Sequence, residues 1–237
     1  MLGIIFTGGQ GPDAHFIRRL IEKEVNNARG QNVQAHSVLF IAADSGLEAA
    51  QSAGVKPDWI TGDMDSLKDI SLLDAYPPQR VIRHKRDKDF TDTELAFTLA
   101  LEQGAENIWI IGGGGGRIDH LFGIRSLFER DVFPRRWITD AEDIRCIDAM
   151  TDNNEQLTVN SEEKNFIVSV FPLGAGPWEA KSTGLKWPLA GLSWDRGFFG
   201  LSNAALEGDF SIKAEKGRFM AILPLENSGN FRNSSSC

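Results

Sequence analysis

The chain has 237 residues, with 25 Lys and Arg against 33 Asp and Glu and a net charge of −8, a balance that argues against holding nucleic acid by broad phosphate neutralisation. No apolar run approaches the roughly 18 residues of a membrane helix, the start at Met1 has no basic leader, and Cys146 and Cys237 lie far apart outside any metal pattern, so a protein of the reducing cytoplasm is expected. At about 150 residues per domain the length allows one large domain or two small ones, and one number is out of line: 24 glycines, where usage near 7% would give roughly 17.

From residue 1 to about 141, short β-rich runs alternate with helical patterns, which predicts an α/β domain with a parallel sheet flanked by helices. Strands are expected at 4–7, 38–42, 59–61, 80–83, 107–111 and 136–139. Between the first two, Ile17, Leu20, Ile21 and Val25 fall at helical spacing, with Asp13 as N-cap and Gly30 as the stop. Ser45-Gly46-Leu47-Glu48 and Thr91-Asp92-Thr93-Glu94 both have the capping-box form, and the second places Asp92 in a first helical turn. A fourth helix is expected from Asp119 to about Arg130, with Leu121, Ile124 and Phe128 on one face. From 142 to 237 the helical period is gone. Short strands such as 166–171 and 210–213, separated by Gly, Pro and Asn turns, predict an all-β domain; 151–154 reads as a hairpin turn and the tail from Asn227 is expected to fray.

Three segments concentrate charge or glycine just after predicted strands, where ligands bind in open α/β sheets. Gly62-Asp63-Met64-Asp65-Ser66 sets two carboxylates at i and i+2, able to converge on one Mg²⁺, although the same sequence also makes an ordinary polar turn. In Arg83-His84-Lys85-Arg86-Asp87-Lys88-Asp89-Phe90-Thr91-Asp92, Asp89 and Asp92 bracket a helix N-terminus. They either stabilise that helix or hold a metal, with the basic residues set against a polyphosphate. The third segment runs Gly112-Gly113-Gly114-Gly115-Gly116-Arg117-Ile118-Asp119-His120. Five glycines in a row often form a linker, but these join an apolar strand to a helix, where they let backbone N–H groups approach phosphate oxygens.

Neither GxGxxG nor a Walker A loop is present, since Arg117 stands three residues past Gly114 and no Gly-Lys-Ser/Thr occurs. In the second domain Trp187, near Ser202 and Asn203 in kind, is either a core aromatic or one face of a site for a flat heteroaromatic ring.

Together these segments resemble the thiamine pyrophosphokinase (thiamine diphosphokinase) family over roughly 43–203. The matches are Asp44-Ser45-Gly46, Pro57 to Ser66 around the two aspartates, Lys88 to Glu94, Gly112 to His120, and Thr183-Gly184-Leu185-Lys186-Trp187-Pro188-Leu189 with Ser202-Asn203. The resemblance implies an α/β catalytic domain over 1–141, a C-terminal β-sandwich over 142–237, and a homodimer with thiamine bound at the subunit interface. It also implies Mg²⁺-dependent transfer of a pyrophosphoryl group from ATP to the thiamine hydroxyl, giving thiamine diphosphate and AMP. By motif match Asp63 and Asp65 are metal ligands, and Asp89 and Asp92 share metal binding or hydroxyl activation. Asp44, Gly112, Gly113, Gly114, Gly115, Gly116, Arg117 and His120 fall at the ATP side, Asp119 helps position a substrate, and Trp187, Ser202 and Asn203 line the thiamine pocket, donated to the other subunit. Two departures stand out: Ile124 where the family often has Asn, and the unmatched stretch 190–199. The same acidic residues would also serve a Mg²⁺-dependent nucleotide or pyrophosphate hydrolase, and a non-catalytic thiamine or nucleotide binder is a third reading.

Overall fold

The computed structural model describes residues 1–30, 38–151, 155–160, 167–207 and 209–225, with the side chains of 24–30 excluded. Residues 152–154 of the expected turn, Phe166, the tail from Asn227, Cys237 and the Val25 side chain therefore lie outside the described residues.

The first half runs β1 (Leu2–Phe6), α1 (Ala14–Gly30), β2 (Val38–Ala43), α2 (Gly46–Ser52), β3 (Trp59–Gly62), β4 (Val81–Arg83), α3 (Asp92–Glu102), β5 (Asn107–Ile111), α4 (Ile118–Leu127) and β6 (Arg136–Ile138). The second half continues with β7 (Glu142–Asp148), β8 (Gln156–Val159), β9 (Ile167–Leu173), β10 (Glu179–Thr183), β11 (Gly200–Ala204), β12 (Phe210–Lys216) and β13 (Arg218–Pro224). Among the described residues no helix is long and apolar enough to cross a membrane.

In the first half β1 explains the layering. Ile4 and Phe6 enter a cluster with Ile17 and Leu20 of α1, whereas Ile5 enters another with Ala96, Phe97 and Ala100 of α3. A strand buried on both faces reads as a continuous apolar run, and Ile4, Ile5 and Phe6 are completely buried, each contributing about 2 kcal/mol. Strands β4, β3, β2, β1, β5 and β6 pair in parallel in that order. The order reverses direction between β1 and β5, which opens a crevice at the carboxyl ends of the strands.

The second half is antiparallel and continues the same sheet. β6 pairs with β7, then come β13, β9 and β11, making ten strands, while β10, β12 and β8 form a separate three-stranded sheet. The two layers enclose Val168, Val170, Phe219 and Ala221 on one side and Ala180, Phe210, Ile212 and Ala214 on the other. This is a sandwich-like region, as expected, but one of its layers is an extension of the α/β sheet, with the change of strand direction at the turn between β6 and β7.

Local signals fared unevenly. Asp13 Oδ1 accepts from Phe16 N at 2.8 Å, and Thr91 and Glu94 form a full capping box at the start of α3. Ser45 makes no side-chain cap, since its own backbone is helical (φ −62°, ψ −7°) and not in the extended form of an N-cap, and the Glu48 carboxylate accepts from the Lys68 amide at 2.7 Å. The fourth helix ends at Leu127, and Arg80 belongs to a short 3₁₀ turn before β4.

Candidate active site

A cleft of about 820 Å³ opens at the crevice between the ends of β1, β2, β3 and β5. At the end of β2, Asp44 takes a left-handed backbone (φ 48°) and its amide donates to Thr61 O at 2.9 Å, which turns its buried carboxylate toward the end of β3. There Met64, also left-handed (φ 66°), tucks into a core with Ala42, Leu47, Ile60, Leu73 and Tyr76. Its two neighbours, Asp63 and Asp65, line the cleft. Oxygens of Asp44, Asp63 and Asp65 lie within 4.8 Å of one another. Asp92 joins them from the first turn of α3: a Cβ on Gly62 would sit 3.2 Å from both Asp92 Oδ1 and Asp44 Cβ.

The charges are unequally matched. Lys88 Nζ donates to Asp63 Oδ2 at 3.0 Å and lies 2.9 Å from Asp92 Oδ1; Arg86 Nε is 3.2 Å from Asp65 Oδ2 but its side chain is 85% exposed. Burial would raise the Asp63 pKa, yet Lys88 and the Asp65 amide outweigh it and hold the carboxyl below its ordinary range. Asp44 moves the other way. Burial pushes its pKa up, and the nearby Asp92, Asp63 and Asp65 add to that, with Ser66 opposing. Asp44 Oδ1 is buried with no hydrogen-bond partner. Clustered hard oxygens with one buried acceptor left over fit a divalent cation such as Mg²⁺.

The glycine loop divides in two. Gly112 N donates to Ile138 O (2.9 Å), Gly113 N to Gly8 O (2.8 Å) and Gly114 N to Gln10 O (2.8 Å). These three amides are therefore engaged in holding the loop against the chain after β1, and they do not point at a ligand as the sequence reading expects. Glycine is required there by close approach: a Cβ on Gly114 would lie 2.8 Å from Gln10 O. Gly115 and Gly116, with positive φ of 62° and 65°, are exposed along the cleft, and among the described residues their amides have no partner.

Arg117 and His120 also line the cleft. Arg117 is N-terminal to α4 and its Nε donates to Asp119 Oδ1 at 3.1 Å, a pairing that holds the Asp119 pKa low. Asp119 itself is exposed and outside the cleft lining. Asp89 is not brought into the carboxylate cluster; it is exposed, and the residue that the bend before α3 turns inward is Lys88. Sequence reading also missed Thr7, Gly8 and Gly9 of the cleft wall, although a Gly-Gly pair directly after the first strand was a signal of the kind used for Gly112.

The family model described as "Thiamin pyrophosphokinase, catalytic domain" matches residues 31–134. The thiamine pyrophosphokinase of Bacillus subtilis is 31% identical over 160 residues, 64% of this chain and 70% of the relative. This chain belongs to the thiamine pyrophosphokinase family. Thiamin pyrophosphokinase 1 of Caenorhabditis elegans is 25% identical over 210 residues, 84% of each chain. The solved thiamin pyrophosphokinase of Geobacillus thermodenitrificans superposes with a TM-score of 0.67 at 25% identity, covering 96% of this chain and 99% of the other.

Against that family background, the residues expected on the thiamine side lie elsewhere in the chain. Ser202 and Asn203 belong to β11, eight strand positions from β3 in the sheet order, about 38 Å along a flat sheet at roughly 4.8 Å per strand. Asn203 is buried and its amide brackets the Trp187 backbone, accepting from Trp187 N at 3.1 Å and donating to Trp187 O at 2.6 Å. It therefore positions the loop that presents Trp187, whose side chain is exposed. Ser202 is exposed with φ 56°. In the unmatched 190–199 stretch, Trp194 packs edge-on to Phe198 and Phe219, and Phe199 stacks on Phe171. Ile124, at the family's frequent Asn position, is a buried core residue under the glycine loop.

Proposed function

We propose that this chain transfers a pyrophosphoryl group from ATP to the hydroxyl of thiamine, giving thiamine diphosphate and AMP, with Mg²⁺ as the required ion. The observation that carries this reading is the meeting, in one cleft, of Asp44, Asp63, Asp65 and Asp92 with the unengaged amides of Gly115 and Gly116. Pyrophosphoryl transfer asks for in-line positioning and for positive charge on the transferring group. The carboxylates would hold the ion, which neutralises phosphate oxygens when bound. Gly115 and Gly116 amides, Arg117 and His120 bind the remaining phosphate oxygens. The thiamine hydroxyl oxygen bonds to the β-phosphorus as the bond to the α–β bridging oxygen breaks. AMP departs with that oxygen and the hydroxyl proton passes to a cluster carboxylate. A strongly acidic cleft also suits an acceptor with a fixed positive ring.

The same reading makes the enzyme a homodimer with thiamine between subunits. Trp187 is held by Asn203 of β11, at the sheet edge five strand positions beyond β5, and on this reading it serves the cleft of a second copy. Exposed Leu192, Phe198, Phe199 and Leu201 around the β11 edge, and Ile118 and Phe122 on α4, supply apolar surface for such contact. Cys146 is a free, buried thiol with its pKa pushed up to about 12 chiefly by burial, and a cytoplasmic setting is part of the same proposal.

Incubation with ATP, Mg²⁺ and thiamine tests the proposal: AMP and thiamine diphosphate should form in equal amounts. Cleavage of ATP without thiamine would make the protein a hydrolase, and binding without turnover a non-catalytic binder.

A further inference from the structure

Lys88 occupies a position that the transfer reaction, as described, does not use. Its ammonium enters the gap between Asp63 Oδ2 (3.0 Å) and Asp92 Oδ1 (2.9 Å), and its side chain is 15% exposed, against 85% for Arg86 beside Asp65. The other basic side chains of the segment from Arg83 to Lys88 are not set between two carboxylates: among the described residues Arg83 and Lys85 form no ion pair. Four carboxylates facing one cleft repel each other when no ion is present. A nearly enclosed ammonium between two of them relieves that repulsion, and it does so by occupying Asp63 Oδ2 and Asp92 Oδ1, oxygens that an ion held by those residues would need.

We infer that Lys88 is a built-in counter-cation, held between Asp63 and Asp92 in the metal-free protein and displaced from them when the metal–nucleotide complex enters. Lysine suits this task because it is a compact charge on a flexible stem, able to leave two carboxylates and turn to a phosphate oxygen. Two consequences separate it from a lysine that merely braces the loop. Free metal has to compete with an internal cation, so the empty cleft binds metal weakly. Nucleotide offers the displaced ammonium new partners, so nucleotide and metal strengthen each other's binding.

The inference rests on the metal reading given above, and the test separates the two. Free Mn²⁺ is titrated into the full-length wild type, Lys88→Gln and Lys88→Arg and followed by electron paramagnetic resonance, without nucleotide and then with a non-hydrolysable ATP analogue. Thermal melts in chelator are run alongside. The expected result is Mn²⁺ binding about tenfold tighter in Lys88→Gln than in wild type without nucleotide, with a smaller further gain from the analogue. Lys88→Arg, which keeps the charge, should stay near wild type. In chelator Lys88→Gln should melt a few degrees below wild type and recover on adding Mn²⁺. Equal or weaker Mn²⁺ binding by a folded Lys88→Gln, with wild type binding the ion, overturns the role of Lys88 and leaves the metal reading intact. Absence of Mn²⁺ binding in all three proteins overturns the metal reading and the inference with it.

Discussion

Two places in this chain bring carboxylates and cations to close quarters, and they balance charge in opposite senses. At the junction of the two halves, Asp143 of β7 takes a bidentate contact from Arg136 of β6 and another from Arg145, four hydrogen bonds each of 2.8 Å. Burial would raise the Asp143 pKa, but Arg145 and Arg136 bring it below the ordinary range. In the cleft, Asp44, Asp63, Asp65 and Asp92 share Lys88 and the exposed Arg86, and the Asp44 pKa is driven up. A carboxylate whose lone pairs are all met from within the chain describes a structural tie. One that is buried and partly unmet describes something the chain does not itself contain.

The largest effect should come from the cleft. Asp63→Asn or Asp92→Asn should cost at least about 1,000-fold in thiamine diphosphate formation, roughly 4 kcal/mol, with the circular dichroism spectrum unchanged. Turnover near wild type in either folded variant would remove the contrast between the two clusters. Next comes the junction. Asp143→Asn leaves two guanidinium groups facing each other and should lose roughly 3–5 kcal/mol in urea unfolding, while activity per folded molecule stays near wild type. Because the folded pKa of Asp143 lies below its unfolded value of about 3.9, its stabilisation is complete above that value and is lost as pH falls through the lowered one. Acid unfolding of Asp143→Asn should accordingly show a shallower loss below about pH 4 than wild type.

The smallest effect has the opposite sign and sharpens the comparison most. The folded pKa of Asp44 is raised, so its charge destabilises the metal-free protein above that pKa, and acidification through it relieves the penalty. Asp44→Asn should therefore melt slightly higher than wild type at neutral pH in chelator, and gain less from added Mg²⁺. A lower melting point in chelator would place Asp44 with Asp143 among the structural ties.

Much of this was legible in the sequence where the deciding contacts are local. β5 runs over the predicted residues, the Thr91–Glu94 box forms as its spacing requires, and Asp63 and Asp65 reach one cleft because Met64 between them is apolar and finds the core. What escaped was decided by partners distant in the chain. Glu48 accepts from Lys68 and closes no box with Ser45, and the amides of Gly112, Gly113 and Gly114 met Ile138, Gly8 and Gln10, so among the described residues only Gly115 and Gly116 of the five keep unengaged amides. Lys88 and Asp89 are adjacent and both charged, and only the backbone bend before α3 decides which of them faces the carboxylates. The continuity of the sheet through β6 and β7 likewise depends on a pairing that neither half announces by composition.

That continuity has a mechanical consequence. A hinge between the halves would have to break the main-chain ladders joining Trp109, Arg136 and Arg145, and would tear Asp143 from a guanidinium as it did so. The ten strands therefore behave as a single stiff plate. The residues along its rim that line the cleft at Arg86, Lys88, Phe90, Gly115 and Gly116 lie outside those ladders, so under the proposed reaction any closure over a substrate would fall to them, and a pocket shared by two copies would take its geometry from how two such plates lie against each other.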